Sequence, residues 1–368
     1  MVKETFCSHA WFSFREDDGK FRPCCVWRGD TGYTTANSTY RQFMDSEYME
    51  QRRADLASGI RIPECKLCWE NEDRGINSVR TTANNKLIPD PKLIPLIAPH
   101  RPLLNADVKL GNLCNFACAM CNPADSTQIY RRWIDADNEF TQDYDYAEIK
   151  RIFTGDDPES LQQALEEPTL VNLDLVGGET LLYKRVLKRL ADLPNSRKSK
   201  ISLGLITNAS ENILSAIDRL GAFKHISVYV SLEGTGAAQD YIRKGSNWST
   251  VEANILEFRE QLQSNQYIEV DHMVQALSIE HYDDLATWCS HNDIPLWHMP
   301  LVDPEYLSVD ILSRGFLKHA PLDQYYNNYK YRPDLLEKFR RYIDWYERDH
   351  YIKLADVMPR LYNETHNR

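Results

Sequence analysis

Asn112-Leu113-Cys114-Asn115-Phe116-Ala117-Cys118-Ala119-Met120-Cys121 places three cysteines in a Cys-x3-Cys-x2-Cys pattern, directly after the strand-like run Ala106–Leu110. A loop leaving the end of a parallel strand opens on the C-terminal face, where barrel active sites collect. Three thiolates on one short loop can hold three corners of a 4Fe–4S cube. No fourth cysteine follows nearby, so one iron stays open to chelate the amino and carboxylate groups of a ligand. The competing reading is a structural zinc site that borrows a distant fourth ligand. Zinc motifs usually offer paired Cys-x2-Cys or His spacings, and this loop adjoins neither a second pair nor a His.

Outward from the loop, short β-rich runs alternate with helical stretches. Strands are expected at Ala106–Leu110, Leu170–Val176, Ile201–Ile206, Ile226–Leu232, Tyr267–Val274 and Leu296–Leu301. Helices are expected at Asp125–Asp135, Pro158–Glu166, Arg185–Leu193, Glu211–Leu220, Ala237–Lys244, Thr250–Gln263 and Tyr282–Cys289. This alternation argues for βαβ units, a parallel sheet and an α/β fold. Six units make an open barrel rather than a closed eight-fold one. From Pro333 the chain turns helical, with Leu335, Leu336, Phe339, Tyr342, Ile343 and Tyr346 at helix spacing. That stripe is read as packing on the barrel or in a dimer contact.

Further motifs fall in order at the strand ends. Val176-Gly177-Gly178-Glu179 closes the second strand; glycines let backbone approach a ligand closely, and the carboxylate can accept from an ammonium group. Thr207 and Asn208 close the third, as ribose contacts or as a helix cap. Ser231-Leu232-Glu233-Gly234 closes the fourth, and Arg243 lies on the next helix. Gln275, after the fifth, is a weaker pocket candidate.

Together these pieces resemble the radical S-adenosylmethionine (SAM) superfamily over residues 105–303. The resemblance implies a partial (β/α)6 barrel and a 4Fe–4S cluster on Cys114, Cys118 and Cys121, with SAM as cosubstrate. It implies that Met120, standing where the family has an aromatic residue, meets adenine through backbone, and that Gly177, Gly178 and Glu179 contact the SAM amino group. Thr180 replaces the usual proline of that motif. It further implies Ser231 near the ribose or the carboxylate, and Arg243 pairing the SAM carboxylate; an arginine fork suits a carboxylate. The activity implied is reductive cleavage of SAM to a 5′-deoxyadenosyl radical that takes hydrogen from a substrate, an oxidoreductase-type reaction.

A second cysteine group precedes the barrel. Cys7-x11-Gly19-x4-Cys24 is followed by Cys25 and then by the knuckle Cys65-Lys66-Leu67-Cys68. Four thiolates there can enclose a cluster with no open iron; the alternative is a zinc ribbon-like site. The arrangement resembles the auxiliary modules called SPASM and its shorter form, twitch, which implies one auxiliary 4Fe–4S cluster on Cys7, Cys24, Cys65 and Cys68. The Gly-x4-Cys spacing favours Cys24 over Cys25, although the register stays open. Those modules usually follow the barrel, whereas this one precedes it. Glu72–Arg80 reads as a turn that seats the module, and Cys289, with Leu285 and Trp288, as a buried core thiol.

The expected layout is an N-terminal cysteine-rich cluster module at 1–80, a proline-bearing linker at 81–104, the barrel at 105–303 and a helical C-terminal extension at 304–368. A net charge of −11 disfavours nucleic acid as a partner. The basic quartet Arg197-Lys198-Ser199-Lys200 reads as a solvated turn. No run approaches the ~18 apolar residues of a membrane helix, and the N-terminus lacks a signal-peptide core, so a cytoplasmic location is expected. The expected substrate is a peptide or protein undergoing oxidation, with a reductant such as flavodoxin or ferredoxin. The alternatives are a small-molecule dehydrogenase of the same superfamily or a non-enzymatic iron–sulfur electron carrier.

Overall fold

The structure, a computed structural model, describes residues 4–73, 75, 77–88, 90, 92, 94–152, 158–301, 303–317 and 329–366. Pro89 and Pro91 of the linker, Arg74 and Ile76 of the stretch after the knuckle, and residues 318–328 of the C-terminal extension lie outside the described residues.

One eight-stranded sheet organises the molecule: β1 (Ser13–Asp17), β2 (Lys20–Arg22), β3 (Asn105–Lys109), β4 (Asn172–Val176), β5 (Ser202–Thr207), β6 (His225–Ser231), β7 (Gln266–Val274) and β8 (Leu296–Pro300). Its order is β2-β1-β3-β4-β5-β6-β7-β8. All neighbours are parallel except the β1–β2 hairpin. β2 and β8 stand at opposite ends of that order, so the architecture is α/β with an open, partly parallel sheet. The six expected strands are β3–β8, in sequence order across the sheet.

The elements follow from local chemistry. In β6, Ile226, Val228 and Val230 are buried while Ser227, Tyr229 and Ser231 are half-buried, the period-two pattern of a strand with one face on the core. Helices begin where polar side chains satisfy the first free N–H groups. Ser126 accepts from Gln128 and Ile129 ahead of Thr127–Trp133, Asn212 from Ser215 ahead of Ile213–Leu220, and Asn247 from Thr250 ahead of Trp248–Glu260.

The N-terminal segment enters the same sheet as the strands that follow it. β1 pairs parallel with β3, with Phe14 opposite Ala106 and Arg15 opposite Asp107. Its aromatics Phe12, Phe14, Phe21 and Phe43 belong to one apolar core with Leu173, Leu203 and Val228. Phe14 stacks on Tyr40 at 4.6 Å between centroids.

Two readings of charged and apolar surface are refined. Within the basic quartet Ser199 and Lys200 form an exposed turn, whereas Lys198 is buried, and its Nζ donates to Ala191 O and Leu220 O, both at 3.0 Å. Those carbonyls end the helices Lys184–Asp192 and Ile213–Leu220, where a cation is favoured. The C-terminal helix Leu336–Tyr346 buries Leu336, Phe339, Tyr342, Ile343 and Tyr346 against this same chain, in a core with Ala119, Tyr241 and Ile242. Cys289 lies in the core beside Leu285. Among the described residues, no helix is long and apolar enough to cross a membrane.

Candidate functional site

A cavity of about 390 Å³ lies at the C-terminal ends of β3–β6. Cys114, Cys118 and Cys121 line it together. So do Gly177 and Gly178 after β4, Thr207 and Asn208 at the end of β5, Ser231 at the end of β6, and Arg243. Met120 and Glu179 do not line it. Met120 packs partly buried between the two cores, and Glu179 is fully buried.

The cysteine loop is fixed by its backbone. Leu110 N–H donates to Val176 O at 2.9 Å, which ties the loop's start to β4. Ala117 N–H donates to Lys244 O at 2.7 Å and Ala119 N–H to Ile242 O at 2.8 Å. The segment holding Cys118 therefore runs alongside the segment holding Arg243. Thr127 Oγ1 donates to Cys114 O at 2.9 Å, and Ser126 Oγ to Phe116 O at 2.6 Å.

Gly177 and Gly178 lie against that loop. Gly178 has φ +36°, and a Cβ there would overlap the Leu113 carbonyl. A Cβ on Gly177 would lie 2.6 Å from Gly111 O and 2.8 Å from Lys109 Cγ. Glycine is required here for a left-handed backbone and a close approach, and the approach is to the loop's own chain. Glu179 is likewise satisfied within the protein. Its carboxylate accepts from Leu181 N–H (2.9 Å), Thr207 Oγ1 (2.7 Å) and Asn208 N–H (2.5 Å). Burial pushes its carboxyl above the ordinary range, and these three donors pull it back. Asn208 carries the link onward, donating from Nδ2 to Asn115 Oδ1 at 3.0 Å and lying 3.9 Å from Cys114 Sγ.

Arg243 is not a surface charge. Its side chain is 12% exposed and forks onto fully buried Glu233, through Nε to Oε2 and Nη2 to Oε1 (3.0 Å). Its Nη1 lies 3.8 Å from Cys118 Sγ. The three thiols are held protonated in this environment. Burial pushes Cys118 up to about 12 and raises Cys114 and Cys121, with Arg243 drawing Cys118 partly back. Any metal group bound there must therefore displace protons from all three. Among the described residues, no three His, Cys, Asp or Glu side chains are drawn tightly enough together to hold a metal ion.

Cys7, Cys24, Cys65 and Cys68 of the second cysteine group are all buried, and their thiols lie near enough to raise one another, with the Cys25 thiol acting on Cys24 as well. Burial pushes Cys7 up to about 11 and raises the other three. Cys25 is exposed. Arg80 braces the group: it pairs with Glu72, donates to Glu4 O (2.6 Å) and Phe6 O (2.7 Å), and lies 4.8 Å from the Trp69 ring. Its positive charge acts on Cys7, Cys65 and Cys68.

Several cavity residues carried no motif. Arg15 and Asp17 come from β1, Asp18 from the turn after it, Lys109 from β3, and Asp125 from beyond the cysteine loop. Lys109, 4% exposed, pairs with Asp17 (3.5 Å), Asp18 and Asp125 (2.5 Å), and so ties the hairpin to the loop. Arg15 pairs with Asp107 at 2.5 Å. Gln275, by contrast, does not line the cavity; it is fully buried, and its amide finds no partner among the described residues.

No family model and no curated protein matches the chain. Among solved structures, it is similar to native anSMEcpe with bound AdoMet, at 17% identity and TM-score 0.40, over 65% of this chain and 59% of that one. It is also similar to Streptococcus suis SuiB bound to S-adenosylmethionine, at 14% identity and TM-score 0.40, over 95% of this chain and 71% of that one. For SuiB bound to the precursor peptide SuiA the values are 14% and 0.39, over 91% and 68%. This chain thus spans less than two thirds of the anSMEcpe chain. At such TM-scores none of these likenesses bears on the reading of the site.

Proposed function

We propose that the chain is a radical SAM enzyme acting at this cavity. The observation that carries the reading is the convergence of Cys114, Cys118 and Cys121 with Arg243 and the ends of β4, β5 and β6 around one cavity. Cys114, Cys118 and Cys121 would hold a 4Fe–4S cluster, which when bound would supply the electron for reductive cleavage of SAM and so the means of taking hydrogen from a substrate.

The chain's own residues have definable tasks in this reading. The Arg243 guanidinium faces the cavity and binds the SAM carboxylate while Glu233 holds it in place. Ser231, Thr207 and Asn208 border the ribose. Glu179 organises the β4 and β5 ends, and so acts on SAM through Thr207 and Asn208. Cys7, Cys24, Cys65 and Cys68 would hold an auxiliary 4Fe–4S cluster, which when bound would supply an acceptor for one electron; the burial of Cys24 supports its place in the set. The net reaction is oxidation of a peptide or protein, with a flavodoxin- or ferredoxin-type reductant.

The test is anaerobic reconstitution with SAM and dithionite. The intact chain is expected to release 5′-deoxyadenosine, and Cys118→Ala to abolish the release. Iron near roughly eight per chain supports both clusters, and near roughly four removes the auxiliary one. Zinc in the triplet of anaerobically prepared protein, or indifference to SAM, sinks the reading.

A further inference from the structure

The C-terminal helix Leu336–Tyr346 and the turn after it present Tyr342, Tyr346 and His350 at four-residue spacing, one stripe of a helical surface. All three are buried, at 1%, 1% and 4% exposure. A stripe serving only as apolar packing would end in hydrocarbon. This one ends in polar atoms, and each meets a backbone carbonyl of the site.

Tyr342 Oη donates to Ala119 O, between Cys118 and Cys121. Tyr346 Oη lies among three carbonyls: Tyr241 O (2.8 Å), Ile242 O (3.2 Å) and Ala117 O (3.5 Å). His350 Nε2 reaches Tyr241 O at 3.1 Å. Tyr241 and Ile242 immediately precede Arg243, and Ala117 immediately precedes Cys118. The rings brace one another: Tyr342 and Tyr346 stack at 5.9 Å, and His350 stacks on Tyr241 at 5.2 Å. Tyr241 Oη returns a hydrogen bond to Glu347 Oε1 at 2.9 Å, so the tail is held at both ends of this contact.

We propose that Tyr342, Tyr346 and His350 are positioning residues. They fix the Cys118–Cys121 segment and the Arg243 segment relative to each other from behind the cavity. The C-terminal extension thereby becomes part of the site's architecture, although its helix supplies no residue to the cavity wall. The importance of that registration rests on the reading of the loop as a cluster site; the registration itself does not.

The test uses the full-length chain purified without metal. Iodoacetamide labelling, followed by peptide mass spectrometry, reads the rates at Cys118, Cys121 and Cys289. Tyr342→Phe, alone and combined with Tyr346→Phe, keeps the rings and removes the hydroxyls. Labelling of Cys118 and Cys121 is expected to rise about tenfold, the factor that loss of one net hydrogen bond produces. Cys289, buried in the core that holds Cys118 but bearing no contact with the three side chains of the last helix and its turn, serves as internal reference and is expected not to change. Phe339→Leu weakens the same helix without touching a carbonyl and is expected to leave the ratio unaltered. A uniform rise at all three cysteines, or no rise, overturns the proposal. The same preparations of the intact chain, reconstituted and assayed for SAM cleavage, keep the two readings apart. Failure there removes the enzyme while the labelling still tests the clamp.

Discussion

Gly178 shows how one residue ties two motifs together. Its φ of +36° and the overlap of a Cβ with the Leu113 backbone leave no room for alanine unless the cysteine loop moves. Gly178→Ala is expected to cost about 2–4 kcal/mol in urea unfolding and to impair iron loading, whereas a loop with slack would lose neither. Glu16 makes a second prediction. Its carboxyl is 4% exposed and accepts from Gly19 N–H at 2.8 Å. Burial pushes it up from 4.5 to about 7, with the Gly19 donor drawing it back. The folded chain thus holds this proton more tightly than the unfolded chain does. The stability it contributes is full below about pH 4.5 and is lost as pH rises through about 7. Relative to Glu16→Gln, the natural chain should lose on the order of 3 kcal/mol between those limits; parallel stability–pH curves for the two would refute this.

Elements were legible where their signals are local. The six strands β3–β8 and the helices between them lie close to where periodicity puts them, because apolar alternation and caps act within a few residues. β1 and β2 were not among the expected strands, although Asp17-Asp18-Gly19-Lys20 carries a local signal for them. An Asp-Gly pair between alternating residues is a hairpin signal, and Asp18 (φ 51°) and Gly19 (φ 70°) both take the positive φ of that turn. What hid the hairpin was the surrounding cysteines, which suggest metal-held loops. Lys198 was not legible: a charge in a basic run looks solvated until two helix ends converge on it. Lys198→Met leaves the Ala191 and Leu220 carbonyls without this donor. Each uncompensated group costs about 1–3 kcal/mol, so urea unfolding should show a loss of that order. Equal stability of the variant would contradict the capping role.

For the whole molecule, the continuity of the sheet has a consequence. β1 covers the edge of β3, and the aromatics around it complete the core on which β3–β5 pack. A chain lacking residues 1–80 should therefore expose an unpaired parallel edge and apolar surface, and aggregate. A monomeric fragment that unfolds cooperatively would show that the N-terminal segment is dispensable. The sequence alone supplied the chemistry: a thiol triplet after a strand, glycines and polar residues at the next strand ends, a downstream arginine, and six parallel strands in order. These are statements about neighbours in the chain, and local sterics and periodicity suffice to write them. The tertiary structure alone decided the partners. It gave Glu179 to Thr207 and Asn208, Lys109 to three aspartates, Arg243 to Glu233, and the tyrosines of the last helix to the backbone of the cysteine loop. Such pairings join residues from 10 to 223 positions apart, and packing, which follows from every element at once, selects them.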